Sequence, residues 1–514
     1  MQHPTILKLG TRGSLLAIAQ SRLVARDLQR RWPSLSIQLA TRETRGDRNQ
    51  KVSLKLVDDP DFFAAELDAA LLDGEVDFCV HSLKDVAGER PAGLITAAIP
   101  QRENPREVIL FRPDVIDRLR QGVTLTIGTS SRRRTLNIGE FLPRALPQFD
   151  NPPRIAFADL RGPVDQRLKR VVTENQPRPN QLDGVVLALA GLQRLWADPD
   201  GRRTIRPLIS ELRWMVLPLS LCPAAPGQGA LAIECRADDR RCRERLGALH
   251  DPLTARLVKQ ELDLVATEPP EQQQTFGATA VASNACGTLM WARGRRQSDS
   301  GQTETVQQTI WPAPPRPTAA VGWNGHDWGK LSRAWPLPLA VVPASLRAVF
   351  IAHSRALPKN FELPTTTRVW VSGTASWYRL AERGIWVEGC GDNLGFGDLV
   401  PTLRAGVLQL PALDQWTALT HEAAVPSWKH SGVGRVLASY RIGIEANTEL
   451  RRQIGDSTHF YWGSVQQFEA LQSWLPVNAQ HACGTGKTLQ ALRLAGLDRV
   501  QPFPSRKDWQ QWLG

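Results

Sequence analysis

The chain has 514 residues, of which 42% are hydrophobic and 22% are charged, and its formal net charge is +12. This length is too great for one hydrophobic core, so we expect three or four domains of ordinary soluble composition. The positive charge favours an anionic partner, whether nucleic acid, acidic lipid or a polycarboxylate, but does not choose among them.

Cysteine spacing and the length of apolar runs indicate which kinds of site and which cellular compartment to expect. Seven cysteines are scattered without a Cys-x-x-Cys pair, which predicts neither a zinc site nor a redox motif and fits a reducing cytoplasm. The start MQHPTILKLG lacks the features of a signal peptide, and the longest apolar run, 184–192, is too short for a bilayer span. We expect a cytoplasmic protein, a monomer, without a metal or a membrane partner.

Short apolar runs alternate with amphipathic helical patterns through residue 235, as in α/β proteins. Residues 5–10 predict a strand, and the helix after it begins at Ser14, a natural N-cap. Residues 123–128 repeat the arrangement and lead through three hydroxyl residues into a basic helix. These hydroxyl residues are Thr129, Ser130 and Ser131. Two junctions of one design predict two similar lobes, and each helix start offers unpaired N–H groups to a carboxylate or phosphate.

Charged residues follow several predicted strands. The run VDFCVHSLKDV (76–86) ends in Lys84 and Asp85, at a strand end where α/β folds place ligand chemistry, although an arbitrary Lys-Asp pair is usually a surface pair. Further arginines follow in the same kind of position: Arg161, Arg167 and Arg194. Arginines that converge on a cleft repel one another unless an anion neutralises them, so we expect these cations to be neutralised by a bound anion.

The second half of the chain contains a third domain and a linker. Residues 250–266 predict an amphipathic helix and residues 280–294 a hairpin, which together suggest a small α+β domain. The proline-rich stretch 310–317 predicts a linker, because proline can neither continue a helix nor pair within a central strand. Tryptophan-rich α/β segments follow it, including 368–373 and 435–444.

Six motifs occur in a recognisable order: GTRGS (10–14), VHSLKDV (80–86), GTSSRRR (128–134), LRGPVDQRL (160–168), LALAGLQRL (187–195) and PAAPGQGALAIECR (223–236). Over about residues 5–290 this series resembles the porphobilinogen deaminase family, also called hydroxymethylbilane synthase. The resemblance implies an α/β fold with two lobes like those of periplasmic binding proteins, an active site in the cleft between them, and the small third domain.

The resemblance also implies domain boundaries. They are 1–104 with 206–228 for the first domain, 105–205 for the second, 229–310 for the third, 311–344 for a linker region and 345–514 for a C-terminal module.

The family's substrate, porphobilinogen, carries an acetate and a propionate on its pyrrole, and arginine binds carboxylates bidentately. The resemblance implies a set of substrate-binding residues: Arg12, Ser14, Thr129, Ser130, Ser131, Arg133, Arg134, Arg161, Arg167 and Arg194. It makes Asp85 the catalytic carboxylate, which stabilises the cationic ring nitrogen formed on deamination, with Lys84 positioning a substrate carboxylate. Arg132 stands where the family usually has an apolar residue.

The expected cofactor attachment is absent. Family members anchor a dipyrromethane primer on a cysteine of the third domain, but Gln272 stands at that position and cannot form the thioether. Cys286, fourteen residues later, is the nearest other thiol and the weaker alternative. Three possibilities remain open: elongation from an unattached primer, another pyrrole reaction or pyrrole binding alone, and an inactive protein.

Four C-terminal segments, 349–357, 368–387, 459–471 and 481–497, resemble uroporphyrinogen-III synthase, which implies a reduced two-lobed α/β module able to cyclise hydroxymethylbilane. The substrate-facing positions this implies are Ser464, with Thr485 and Thr488 at the start of the last helix. GTGKT (484–488) is no P-loop, because His481 replaces the required glycine, so we expect no nucleotide and predict a glycine-rich turn capping a helix.

Taken together, the sequence predicts a tetrapyrrole-biosynthesis fusion acting on porphobilinogen and linear polypyrroles. The alternative is a divergent homologue without covalent dipyrromethane that binds acidic pyrroles or catalyses a different condensation. Nucleic-acid binding rests only on the net charge and on RGRRQ (293–297), without a known motif, so we expect no nucleic-acid partner.

Overall fold

The computed structural model describes residues 5–42, 64–86, 88, 90–172, 181–297, 302–325, 332–338, 346–444 and 448–514. The chain divides into two compact units. The first comprises Met1–Pro143, Asp150–Ala280 and Trp291–Gln308, and the second Arg144–Phe149, Val281–Met290 and Thr309–Gly514.

The first unit contains two five-stranded sheets. The first sheet has the order β2-β1-β3-β10-β4. Its strands are β1 (Thr5–Arg12), β2 (Leu35–Arg42), β3 (Phe78–Ser82), β4 (Leu94–Ala98) and β10 (Leu231–Arg236). Strand β1 is parallel to β2 and β3, whereas β10 runs antiparallel between β3 and β4.

The second sheet has the order β7-β6-β8-β5-β9. Its strands are β5 (Glu107–Phe111), β6 (Leu125–Gly128), β7 (Ile155–Ala158), β8 (Gly184–Ala188) and β9 (Arg213–Val216). Strand β6 is parallel to β7 and β8, and β5 runs antiparallel between β8 and β9. The two sheets therefore share one strand order and one set of directions, which confirms the prediction of two similar lobes.

Helices connect and cover these strands. They are α1 (Leu15–Arg31), α2 (Ala65–Leu72), α3 (Val115–Arg120), α4 (Arg132–Ala145), α5 (Val164–Val172), α6 (Leu189–Ala197), α7 (Pro199–Ile209) and α8 (Arg240–Gly247). Helix α1 begins where the sequence predicted, because the Ser14 hydroxyl accepts a hydrogen bond from the Ala17 amide at 3.3 Å. Its buried face includes Val24 and Leu28, which pack in the core of the first sheet.

Sheet membership corrects two of the predicted domain boundaries. Strand β9 lies within 206–228, which was predicted to belong to the first domain, but it pairs with β5 in the second sheet. Strand β10 was predicted to open the third domain, but it pairs with β3 and β4 in the first sheet. The chain therefore passes between the sheets twice, through residues 99–106 and 217–230.

The third domain is small and mixed. It contains α9 (Pro252–Ala266), α10 (Pro270–Gln273) and a three-stranded sheet of β11 (Gly277–Ser283), β12 (Gly287–Gln297) and β13 (Thr303–Ile310). The helix at 252–266 and the hairpin with Cys286 in its turn agree with the prediction. Residues 311–317 carry no helix or strand, as their prolines predicted, whereas Ile310 ends β13. The predicted linker region 311–344 is corrected, because its residues Gly322–Trp323 and Ser332–Pro336 are strands paired within the second unit.

The second unit contains two further sheets, with the orders β15-β20-β19-β16-β17-β18 and β14-β21-β22-β23. The six-stranded sheet comprises β15 (Ser332–Pro336), β16 (Ala348–Ile351), β17 (Arg368–Val371), β18 (Gly389–Cys390), β19 (Trp416–His421) and β20 (Arg435–Ile444). The four-stranded sheet comprises β14 (Gly322–Trp323), β21 (His459–Trp462), β22 (Gln480–Gly484) and β23 (Val500–Phe503). Apart from the antiparallel β15, the paired strands run parallel.

The helices of this unit are α11 (Thr374–Ala381), α12 (Phe396–Leu403), α13 (Thr448–Asp456), α14 (Val465–Leu471), α15 (Lys487–Leu494) and α16 (Arg506–Leu513). Thr485 and Thr488 therefore lie at the start of α15 and not of the last helix, because β23 and α16 follow it. Several tryptophans are fully buried here, among them Trp416 and Trp462. No described helix of the chain combines the length and the apolar character that crossing a membrane would require.

Candidate active site in the first unit

Lys84 and Asp85 occupy a 3-10 turn, Leu83–Asp85, directly after β3. The buried Leu83 anchors this turn, whereas the Asp85 side chain is exposed. The Lys84 ammonium donates a hydrogen bond to the Gln228 side-chain oxygen at 3.3 Å. Burial lowers the pKa of Lys84, with Arg134 acting in the same direction and Asp85 opposing the shift.

Arg133 and Arg134 lie in the first turn of α4 and share one internal carboxylate. Arg133 Nη2 and Arg134 Nε each donate to Glu107 Oε1 at 2.7 Å. Two carbonyls accept further bonds, Pro223 at 2.8 Å from Arg133 and Val186 at 3.2 Å from Arg134. The chain itself thus supplies one carboxylate for two guanidinium groups, so the pair keeps a net positive charge. That a bound anion neutralises the converging arginines stays a prediction.

Strand direction explains how Glu107 reaches the arginines. Strand β5 runs antiparallel to β8, and its first residue, Glu107, is opposite Ala188, the last residue of β8. The start of β5 consequently lies at the edge where the parallel strands of this sheet end and α4 begins. Burial of Glu107 opposes its ionisation, but the guanidinium groups of Arg133 and Arg134 outweigh burial and lower its pKa to about 2.

The three hydroxyl residues before α4 make hydrogen bonds to other residues of the chain. The Ser130 hydroxyl donates to the Leu160 carbonyl at 3.1 Å and accepts from the Leu160 amide at 3.0 Å. Thr129 Oγ1 accepts from the Ser131 amide at 3.3 Å, and Ser131 Oγ accepts from the Arg134 amide at 3.4 Å. These contacts fix the junction between β6 and α4 and so orient the arginines that follow it.

Arg161 and Arg167 join the same electrostatic cluster. Arg167 Nε donates to the Gly162 carbonyl at 2.7 Å, at the start of α5. Burial lowers the pKa of Arg167 to about 10, the charges of Arg134 and Arg161 act in the same direction, and Asp85 opposes them. We call the residues brought together in this way the cationic cluster: Lys84, Asp85, Glu107, Arg133, Arg134, Arg161 and Arg167. It draws on the strand ends of both sheets.

The three other predicted site residues of this unit lie within a helix, at a helix start and at a strand end. Arg194 is buried in α6 and donates to the Gly229 carbonyl at 2.6 Å, so it supports the connection before β10. Ser14 caps α1. Arg12 ends β1, and its charge helps lower the pKa of His81 on the neighbouring strand β3.

Asp68, His81 and Glu234 place potential metal-ligand atoms within 4.8 Å of one another. The Arg90 guanidinium already donates to Asp68 at 2.5 Å and to Glu234 at 2.8 Å, and so provides the cation at this place. Burial, together with Arg90 and Arg12, lowers the pKa of His81 to about 3, which keeps its imidazole neutral.

The residues of the third domain do not fit a covalently attached dipyrromethane. Gln272 lies in α10, and its side-chain oxygen accepts from the Gln297 amide at 3.4 Å. All seven cysteines are within the described ranges and all are buried. Cys286 is 6% exposed, and burial, aided by the charge of Asp508, raises its pKa to about 11, so its thiol is neutral and shielded.

The predicted positions of the C-terminal module also bind the chain itself. Ser464 caps α14 by accepting from the Gln467 amide at 3.4 Å, Thr485 Oγ1 donates to the Asn393 carbonyl at 3.1 Å, and Thr488 Oγ1 donates to the Gly463 carbonyl at 3.4 Å. Ser464 and Thr488 are thus brought together around Gly463.

Lys487, the lysine of GTGKT, contacts a backbone carbonyl and an aromatic ring of the protein. Lys487 Nζ donates to the Ser427 carbonyl at 2.6 Å and lies 4.1 Å from the centre of the Trp428 ring. Burial lowers the pKa of Lys487 to about 8. This is the glycine-rich turn before a helix that the sequence predicted, with Thr488 in the first turn of α15.

Sequence reasoning missed two residues of the site. Glu107 follows Arg106 in a charged stretch that is typical of an exposed surface. Only the pairing of β5 with β8 shows that Glu107 binds Arg133 and Arg134. Gln228 lies inside the motif PAAPGQGALAIECR (223–236), where its position between two glycines was the available signal.

This protein is of the two-lobed α/β class. Its two sheets share one topology, and the cationic cluster, with the exposed Asp85, lies at their strand ends. Residues 7–244 match the family model described as "Porphobilinogen deaminase, dipyromethane cofactor binding domain". The chain belongs to the porphobilinogen deaminase family.

The match with similar proteins extends over most of the length of each of those proteins. The porphobilinogen deaminase of Sorangium cellulosum is 35% identical over 322 residues, 62% of this chain and 96% of that protein. Porphobilinogen deaminase 1 of Streptomyces avermitilis is 37% identical over 316 residues, 60% of this chain and 89% of that protein. Among solved structures, the methionine binding protein MetQ matches with 11% identity and a TM-score of 0.27, over 50% of this chain and 95% of that chain.

Proposed function

We propose that the first unit catalyses the deaminative condensation of porphobilinogen into a linear polypyrrole, the hydroxymethylbilane synthase reaction of tetrapyrrole biosynthesis, as a cytoplasmic monomer. The observation that carries the proposal is the exposed carboxylate of Asp85 within the cationic cluster. Family membership supports it.

The chemistry requires one carboxylate and several cations. The bond between the aminomethyl carbon and its nitrogen breaks, ammonia leaves, and positive charge develops on the pyrrole nitrogen. Asp85 stabilises that charge. The free α-carbon of a second pyrrole then forms a bond to the methylene carbon, and the proton it loses passes to a carboxylate such as Asp85.

The arginines serve to hold the acetate and propionate groups. Glu107 uses only some of the N–H donors of Arg133 and Arg134, because each guanidinium has five. Arg167, whose charge interacts with those of Asp85 and Arg161, supplies further positive charge. We assign the remaining donors to substrate carboxylates.

We propose that this chain works without a covalently attached primer, because Gln272 cannot form a thioether and Cys286 is buried. The same observation favours one second candidate, a protein that binds acidic pyrroles without turning them over.

For the C-terminal module we propose a uroporphyrinogen-III synthase-like role, the cyclisation of the linear product. Its two largely parallel sheets and the grouping of Ser464 with Thr488 support this proposal.

The test is incubation of the full chain with porphobilinogen, measuring ammonia release, and porphyrin isomers after oxidation. Turnover lost in Asp85→Asn but kept in Asp117→Asn, a matched change on the exposed face of α3, would support the first proposal. Saturable porphobilinogen binding without ammonia release would support the second candidate. Uroporphyrin I alone as the oxidised product would refute cyclisation by the C-terminal module.

A further inference from the structure

We propose that Gln228 is a positioning residue for Lys84, and that the third domain controls it through Arg102 and Glu261. The inference rests on the proposed function and adds a path from the third domain to the cationic cluster.

Strand register places Gln228 beside Lys84. Strand β10 is antiparallel to β3, with Leu231 opposite Ser82, so residues before Leu231 lie next to residues after Ser82. The Leu83 amide continues this pairing by donating to the Ala230 carbonyl at 3.1 Å.

The orientation of the Gln228 amide is determined by its partners. Gln228 is 1% exposed, and its Nε2 donates to the Pro105 carbonyl at 2.8 Å. A carbonyl can only accept, so the nitrogen must face Pro105 and the oxygen must face the Lys84 ammonium. Gln228 therefore offers Lys84 a neutral acceptor, which stabilises the ammonium without cancelling its charge.

The backbone of Gln228 is equally constrained. It lies between Gly227 and Gly229, whose φ angles of 72° and 88° suit glycine. A Cβ at Gly229 would collide with the carbonyl oxygen of Glu103. The Gly229 carbonyl accepts from the Glu103 amide at 3.0 Å and from Arg194 at 2.6 Å.

A buried carboxylate of the third domain holds the same turn. Glu261, on α9, is 0% exposed and binds the Arg102 guanidinium at 2.5 and 3.0 Å. It also accepts from the amides of Gly227 at 2.8 Å and Ala280 at 2.7 Å. Arg102 Nε donates to the Gln228 carbonyl at 2.7 Å. Helix α9 and strand β11 are thus connected, by two hydrogen-bonded routes, to the residue that holds Lys84.

Two substitutions at one position separate positioning from a structural role. Gln228→Met removes the acceptor and leaves the partly buried ammonium less stabilised. We therefore expect kcat/KM for porphobilinogen to fall about tenfold and the basic limb of its pH profile to move to lower pH. Gln228→Glu supplies an anion, so we expect the basic limb to move to higher pH. Gln121→Glu, on the surface of the same unit, is the control and should leave the profile unchanged.

If the basic limb of the pH profile moves in the same direction in Gln228→Met and Gln228→Glu, or moves in neither, the positioning role of Gln228 is refuted. Glu261→Gln should move the limb in the direction of Gln228→Met although it does not touch Lys84, and an unmoved limb would refute control by the third domain. Should Glu261→Gln fail to fold, Arg102→Lys, which keeps the charge but loses the paired hydrogen bonds, makes the same test.

The inference and the proposed function can fail separately. Absence of turnover in the unaltered protein would refute the proposed function alone. The titration of Lys84 would then be followed directly, by NMR of ¹³C-methylated lysines in the full chain, with Lys84→Arg to assign the signal. Opposite shifts in Gln228→Met and Gln228→Glu would support the positioning role, and equal titration in all three proteins would overturn it.

Discussion

Replacing Glu107 by glutamine should destabilise the second sheet at neutral pH. The change keeps the size of the side chain but leaves the buried guanidinium groups of Arg133 and Arg134 without their counter-charge. Folding lowers the pKa of Glu107 from 4.5 to about 2, which corresponds to about 3 kcal/mol of stability. Loss of one partner of a buried ion pair costs about 3–5 kcal/mol in general, which agrees.

The pH dependence has a definite sign. A carboxyl whose pKa is lowered by folding contributes its full stability above its unfolded pKa, here 4.5, and loses it as pH falls towards 2. Unaltered protein and Glu107→Gln should therefore differ by about 3 kcal/mol at pH 7 and converge as pH falls below 4.5.

Hydrogen exchange, read by mass spectrometry on peptides covering β5 and α4, measures this difference locally. Glu244→Gln breaks an exposed ion pair with Arg240 and is the control, with an expected effect below about 1 kcal/mol. Equal protection of β5 in Glu107→Gln and unaltered protein at pH 7, or a gap that widens on acidification, would refute the reasoning.

Three further predictions concern individual side chains. Arg161→Leu should mainly raise KM for porphobilinogen, whereas Asp85→Asn should lower kcat at least about 100-fold, and steady-state kinetics showing equal, mild effects would contradict both assignments. Cys286, with its pKa raised to about 11, should resist iodoacetamide at pH 7.5 in the native chain and react after unfolding, so rapid native labelling seen by peptide mapping would contradict its burial. Ser464→Ala should cost about 1 kcal/mol through loss of the α14 cap, measured as a lower unfolding midpoint, and an unchanged midpoint would exclude that cap as a stabilising contact.

Local signals in the sequence predicted the strand-to-helix junctions correctly. Ser14, Thr129 and Ser131 make hydrogen bonds over two or three residues, and periodicity within one helix is a property of neighbouring residues. The strands β9 and β10 were assigned to the wrong domains for the opposite reason. Their partners are about 100 residues or more away, β5 for one and β3 with β4 for the other, so nothing beside them in the chain indicates the pairing.

The cationic cluster, too, was predictable from the sequence only in part. That arginines follow the strand ends is visible in the sequence, and in the structure the charge of Arg167 interacts with those of Asp85 and Arg161. The counter-charge was not predictable, because Glu107 precedes Arg133 by 26 residues and meets it only through the antiparallel placement of β5. Arg194, buried in α6, donates to the Gly229 carbonyl, and this contact between residues far apart in the chain has no signal in the sequence around Arg194.

The two passages of the chain between the sheets, residues 99–106 and 217–230, are hydrogen-bonded to each other where Glu103 meets Gly229 and Gln228 meets Pro105. A double connection of this kind permits the lobes to bend towards and away from each other but resists rotation about the axis that joins them. Under bending at these two connections, a residue of the first lobe would therefore keep the same partners in the second lobe.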